Sequence, residues 1–240
     1  MCYNQNRYIR RKALQLIDDY PTIDMSLVEL VIKAYRAGIF PMSESADSKD
    51  IFWVDPDNRG VIPLDQFHLS HRFRKTLRHH SYEIRHNTAF EQVLALCAQE
   101  RPGREQTWIS PKIKALYLTL FRLGFSHSLE VWDKQKNELV GGLYGVMIAG
   151  AYFGESMFSL RTDTSKIALA HLVARLQKTG FKLLDTQFVT DHLRQFGARE
   201  ISRTEYHEML TEALKTEVHF YEPTEEECLV SLLQSITQMS

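Results

Sequence analysis

Two spacings of apolar residues organise the chain. Where they recur three and four apart, a helix with one buried face is expected. Leu27, Leu30, Val31 and Ala34 keep that spacing. Ser26 stands ahead of them as an N-cap, Glu29 completes a capping box, and Gly38 followed by Pro41 ends the helix. Residues 88–99 are amphipathic in the same sense, and 101–106 read as a loop. Ser110-Pro111 opens a further helix, proline sitting well at the first position, and Gly124 stops it. Thr164 or Ser165 begins a long one that carries Ile167, Leu169, Ala170, Leu172, Val173 and Leu176 and ends at Gly180. Helices are also expected at 190–195, at 203–215, and at 7–19, where a basic helix is broken by Tyr20-Pro21.

Alternation marks the strands. Residues 126–132 alternate and meet turn chemistry at 133–137. Phe52-Trp53-Val54 is a short strand stopped by Asp55-Pro56-Asp57-Asn58, and 181–188 is another. Between them lies an uncharged run of sixteen residues, Leu139 to Gly154, followed by Glu155. A membrane span needs about 20 apolar residues. Gly141, Gly142, Gly145, Gly150 and Gly154 interrupt this run, so it reads as two buried strands joined near Ala149-Gly150. Glycines within strands leave room for another backbone or for a ligand. Strands and helices after residue 127 imply an α+β or α/β domain with a mixed sheet. A soft boundary near Pro63 divides a small N-terminal domain, 1–62, from a larger one, 63–240.

Composition narrows the partners. Of 240 residues 44% are hydrophobic, enough for a substantial core, and 29 Lys+Arg against 30 Asp+Glu give no global field. A polyanion site must then be a local patch. Cys2, Cys97 and Cys228 are odd in number and far apart, which fits a reduced, cytoplasmic protein and argues against a zinc cluster. The basic N-terminus lacks the apolar region of a secretory signal. No metal and no membrane partner is expected.

The local patch exists. Residues 70–86 hold Arg72, Arg74, Lys75, Arg78 and Arg85 with one acid, Glu83. Phe73 and Leu77 seat a helix there with Arg74, Lys75 and Arg78 outward. The helix face is either merely solvated or a surface for phosphates. Asp185 and Gln187 sit two apart on an otherwise apolar strand, so they are expected to share a face. A buried carboxylate needs partners; the pair is either a hydrogen-bonded strand end or part of a site. Glu155 and Met157 share a face likewise. Trp53 and Trp108 are open to core packing or to stacking on a base. There is no Walker loop, no dinucleotide loop and no nucleophile elbow around Ser156.

Taken together and in order, several blocks resemble the leucyl/phenylalanyl-tRNA–protein transferase family. They are Ala34-Tyr35-Arg36-Ala37-Gly38-Ile39-Phe40-Pro41, Trp53 with Pro56 and Arg59, Phe67-His68-Leu69-Ser70, Thr107-Trp108-Ile109, and residues 127–132. Denser ones follow at 139–145, Gly154-Glu155-Ser156-Met157-Phe158-Ser159, Ser165-Lys166 and Leu184-Asp185-Thr186-Gln187, with Gly197-Ala198 and Ile201-Ser202-Arg203 closing a match over roughly 30–210. Two departures stand out: Thr22-Ile23-Asp24-Met25-Ser26 replaces a Gly-Gly-Asp-Leu-Ser stretch, and Met42 stands where a tryptophan commonly helps hold adenosine.

The resemblance implies an α+β protein: a small N-terminal domain and an acetyltransferase-like (GNAT) mixed-sheet domain. It implies transfer of Leu, Phe or Met from aminoacyl-tRNA to the α-amine of proteins beginning with Arg or Lys, marking them for N-end-rule degradation. Glu155, Met157 and Leu184 would line or border the amino-acid pocket, with Leu143 in its floor. Trp108 would contact the terminal adenosine, with Met42 and Trp53 on the substrate-binding surface. Asp185 and Gln187 would lie at the reacting centre, Asp185 polarising the Gln187 amide. Arg72, Arg74, Lys75 and Arg78 would face the tRNA acceptor arm. An aminoacyl ester is already activated, so no cofactor is expected. Two rivals are a non-catalytic tRNA-binding module and an N-acyltransferase using acetyl-CoA. The second would want a glycine-rich pyrophosphate loop at 159–166, where there is no glycine.

Overall fold

The computed structural model describes residues 22–100, 106–218, 220 and 224–238. The helix expected at 7–19 and most of the loop at 101–106 lie outside the described residues. In chain order the elements are α1 (Met25–Arg36), β1 (Phe40–Met42), β2 (Phe52–Val54), β3 (Asn58–Val61), α2 (His71–His79), β4 (Tyr82–His86), α3 (Phe90–Ala98) and α4 (Pro111–Arg122). They continue with β5 (Ser126–Asp133), β6 (Glu138–Ile148), β7 (Ala151–Ser159), α5 (Thr164–Lys178), β8 (Leu183–Gln187), α6 (Asp191–Arg194), β9 (Arg199–Ser202), α7 (Arg203–Leu214) and α8 (Glu225–Gln238).

The protein is mixed α+β. Seven strands form one sheet in the order β4-β5-β6-β7-β8-β3-β9, and β1 pairs with β2 apart from it. Neighbours are antiparallel except β7 and β8, which run parallel with α5 as their crossover. Successive residues of the inner strands feed opposite cores, as the pleat requires. Tyr144 and Phe153 pack with α1, α3 and α4, whereas Leu143 and Tyr152 pack with α2 and α5. β3, which precedes the division expected at Pro63, is a strand of the large sheet.

The glycine-rich run is the β6–β7 hairpin, turned at Ala149-Gly150 as the pattern predicts. Its glycines mostly serve packing. A Cβ on Gly141 would lie 2.4 Å from the Thr164 side chain, and one on Gly145 would lie 2.3 Å from the Phe153 carbonyl. Close approach of α5 and of the neighbouring strand takes that space, so of the two uses open to these glycines it is packing, and not a ligand, that applies there.

Caps follow local chemistry. Ser70 and Ser110 accept the Phe73 and Ile113 amides and open α2 and α4. At α1 the cap is Asp24, not Ser26: its carboxylate takes the Ser26 amide at 3.0 Å, so the helix begins one residue before the expected cap. The acidic segment near the C-terminus is drawn inward. Glu225 accepts from Arg175 at 2.6 Å and faces His171 at 3.3 Å, while Cys228 and Leu232 bury α8 against α5. No described helix is long and apolar enough to cross a membrane.

Candidate active site

β7 and β8 pair only from Ala151/Leu183 to Phe153/Asp185. Past that point the strands run on without pairing, and a cavity of about 560 Å³ opens where they part. Residues from both faces of the sheet therefore reach it. Leu143, Met157, Leu169, Leu172, Leu184 and Leu193 give apolar walls; Phe40, Met42, Trp108, Tyr144 and Phe188 add larger side chains. Glu155, Ser156, Thr186, Gln187, Thr190 and His192 are its polar groups.

Each strand carries an irregularity where it meets the cavity. On β7 the register passes from Gly154 to Ser156 opposite Gly145 and Tyr144, leaving Glu155 as the extra residue of a bulge. On β8 it passes from Asp185 to Gln187 opposite Val61 and Gly60, leaving Thr186. Bulges re-aim side chains at the cost of a ladder bond. Gln187 also holds φ +57, a left-handed conformation unusual for a residue with a side chain.

These irregularities correct the expected pairing of Asp185 with Gln187. Gln187 lines the cavity, and its Nε2 has no partner among the described residues. Asp185 is fully buried outside the lining. Its carboxylate accepts from Arg59 Nε at 3.0 Å and Nη2 at 2.7 Å, from Tyr206 Oη at 2.7 Å, and from the backbone N–H of Gln187 at 2.8 Å. Asp185 thus grips the Gln187 backbone, not its amide. Arg59 is 1% exposed, donates to the Gly38 carbonyl at 2.8 Å, and lies 4.5 Å from the ring centres of both Phe40 and Tyr206. Burial opposes the Arg59 charge, but Asp185 beside it leaves the guanidinium held above its usual range. Burial, then the Asp185 charge, pushes the Tyr206 hydroxyl up.

Glu155 has a different setting. Tyr35 Oη donates to Oε1 and Tyr117 Oη to Oε2, both at 2.7 Å, and the two hydroxyls stand 2.8 Å apart. Burial raises the carboxyl from 4.5 to about 7, with the two tyrosines pulling the other way. Burial and Glu155 push both phenols well above their ordinary value. A raised carboxyl binds its proton more tightly folded than unfolded, so its contribution is full below pH 4.5 and lost as pH rises through about 7. Glu155→Gln is expected to remove that dependence. In urea unfolding, wild type should lose on the order of 2–3 kcal/mol relative to the variant between about pH 4.5 and 7, and little further above. Parallel pH profiles for the two proteins would contradict the assignment.

The other expected residues divide. Leu143, Met157, Leu184, Trp108 and Met42 all reach the cavity. Trp53 does not. On β2 it stands opposite Pro41 of β1, so the pleat turns it away from the face that carries Phe40 and Met42. Arg72, Arg74, Lys75 and Arg78 lie on α2 outside the cavity, with Phe73 and Leu77 buried beneath them as the helical spacing predicts. Arg74 also donates to the Leu69 carbonyl at 3.0 Å. Arg59, Tyr35, Tyr117 and Tyr206 were not expected as site residues. Tyr35 and Arg59 fall inside the resembling blocks; for Tyr117 the only signal is a hydroxyl on an apolar helix face, and for Tyr206 there is none.

The sequence model of the family described as leucyl/phenylalanyl-tRNA protein transferase matches residues 61–211, and that of its N-terminal domain matches 27–57. A relative from Maricaulis maris named leucyl/phenylalanyl-tRNA–protein transferase is 53% identical over 212 residues, 88% of this chain and 97% of its own length. Relatives of the same name from Paramagnetospirillum magneticum and Caulobacter vibrioides are 54% identical over 186 residues and 48% over 217. They cover 78% and 90% of this chain, and 88% and 99% of their own. With the two models together matching residues 27–57 and 61–211, and these relatives covering most of the chain, the chain belongs to the leucyl/phenylalanyl-tRNA protein transferase family.

Proposed function

We propose that the protein transfers Leu, Phe or Met from aminoacyl-tRNA to the α-amine of proteins that begin with Arg or Lys, marking them for N-end-rule degradation in the cytoplasm without a cofactor. The observation that carries this reading is the cavity between β7 and β8, apolar along most of its wall and furnished with Gln187 and Glu155. Such a wall selects loosely, since one methylene is worth only about 1–3 kcal/mol. Leu, Met and Phe side chains would all fit it. For the large domain we propose the acetyltransferase-like (GNAT) fold, with the small N-terminal domain ending near Pro63. The parallel β7–β8 pair that parts at the cavity supports that reading.

The chemistry needs little. The ester is activated, and an α-amine with an unperturbed pKa of about 8 is partly neutral near pH 7. The amine nitrogen bonds to the ester carbonyl carbon, the carbon–oxygen bond to ribose breaks, and the amine's proton ends on the ribose oxygen. Orientation is then the main task. Gln187 presents its amide to the amine, while Asp185, saturated by Arg59, Tyr206 and the Gln187 N–H, fixes where that amide points. Glu155, close to its midpoint at neutral pH, complements the cationic Arg or Lys side chain of the acceptor.

The test is transfer of labelled Leu, Phe and Met from their tRNAs to a peptide beginning with Arg, with labelled acetyl-CoA in a parallel arm. Labelled peptide from the tRNA arms is expected. Acetylation alone, or tRNA binding without transfer, would replace this reading with one of its rivals. Reversing Arg74, Lys75 and Arg78 to Glu should weaken tRNA binding and lower its log–log salt slope by about 0.9 for each phosphate no longer neutralised. Unchanged binding at low salt would return α2 to a solvated face.

A further inference from the structure

We infer a phosphate subsite, formed by Lys166, Arg194 and Arg72 in the groove beside the cavity, that takes a phosphodiester of the nucleotide chain whose end enters the cavity. It rests on the function proposed above and adds to it a binding site outside the cavity, which shares Arg72 with the α2 patch and adds Lys166 and Arg194 to it. The groove encloses about 580 Å³ between the start of α2, the start of α5 and the end of α6.

Its position follows from shared walls. On α5, Lys166, Leu169 and Leu172 recur every three residues and so lie along one side of the helix. Leu169 and Leu172 line the cavity, and Lys166 lines the groove. A rise of 1.5 Å per residue sets Lys166 about 4.5 Å along the axis from Leu169. α6 repeats the division: His192 and Leu193 face the cavity, and Arg194 faces the groove. His192 stands at the partition. Burial and then Lys166 hold its imidazole below the usual range, which agrees with the lysine lying just beyond it.

Charge gives the ligand class. Arg72, Lys166 and Arg194 share the groove with one carboxylate, Asp163, which faces Lys166 at 3.2 Å. Arg194 meets Asp191 only at 3.7 Å on open surface, and Arg72 pairs with no carboxylate among the described residues. The groove is therefore cationic in a chain of net charge −1. Two arginine forks and an ammonium suit the unesterified oxygens of a phosphodiester. The ester-bearing adenosine has no phosphodiester of its own once detached, whereas the chain behind it has one at each link.

Two donors separate the subsite from the cavity: leucyl-adenosine, which has no phosphodiester, and the trinucleotide leucyl-CCA, which has two. For Lys166→Met/Arg194→Met, the ratio of kcat/KM for leucyl-CCA to that for leucyl-adenosine is expected to fall by about 10- to 100-fold. The log–log salt slope of leucyl-CCA use should fall by about 0.7 for each phosphate no longer neutralised. A ratio unchanged from wild type, whether both donors suffer equally or neither does, overturns the subsite. Failure of the wild type to use either donor, or charged tRNA, overturns the proposed function and the subsite with it. Thermal melting of the variant shows that it is folded.

Discussion

Arg59→Met is expected to lower the melting temperature by roughly 6–20 °C and to abolish transfer. Removing one partner of a buried ion pair costs about 3–5 kcal/mol, and each kcal/mol moves a chain of this size by about 2–4 °C. Arg59 and Asp185 are 1% and 0% exposed, so no water takes over the lost bonds. The same guanidinium ties the Gly38 carbonyl and fills the space between the Phe40 and Tyr206 rings, so one substitution loosens β1, β3, β8 and α7 together. Replacing both partners, as Arg59→Met/Asp185→Leu, should restore much of the stability, because well-packed apolar residues often match a buried pair. Transfer should stay lost, since the Gln187 backbone N–H then has no acceptor. A single variant that melts with wild type would show that the pair anchors nothing. An active double variant would show that Asp185 does not position Gln187.

That anchor was hidden from the sequence for a physical reason. Arg59 and Asp185 are 126 residues apart, and a pairing over that distance leaves no periodicity. What periodicity could reveal, it did: the buried stripe of α5, the β6–β7 turn at Ala149-Gly150, and the seating of α2 on Phe73 and Leu77. It missed β3, β4 and β9, which are four or five residues long and carry Arg59, Arg85 or Arg199 within them. Polar residues in so short a strand break the alternation that would announce it.

The site failed at its bulges. Strict alternation places Asp185 and Gln187 on one face, and an extra residue at Thr186 with a left-handed Gln187 undoes it. A glycine there would have signalled the turn; glutamine does not. Glu155 is the same case on β7, where the bulge turns it toward Tyr35 and Tyr117. The family resemblance supplied positions, such as Tyr35 and Arg59, for which spacing alone had no reading. Its carried-over expectation for Trp53 yields to the pleat of a two-stranded ribbon.

Gln187→Ala and Gln187→Gly should both lower single-turnover transfer by about 10²–10³-fold, the scale at which misplacing or removing an oriented group acts. The loss should appear in kcat more than in KM for the charged tRNA, because the amide is expected to meet the amine only as it attacks. Stability should separate the two. At φ +57 a residue with a Cβ is strained by roughly 1–2 kcal/mol, and glycine is not. Gln187→Gly should therefore resist urea better than Gln187→Ala by about 1 kcal/mol while being no more active. Transfer by the alanine variant within about threefold of wild type would remove Gln187 from the reacting centre. Equal stability of the two variants would mean that the left-handed turn is not what Asp185 holds in place. The expected pattern is a backbone strained by its own side chain, kept so because Asp185 and Arg59 fix it from behind and the amide is needed in front.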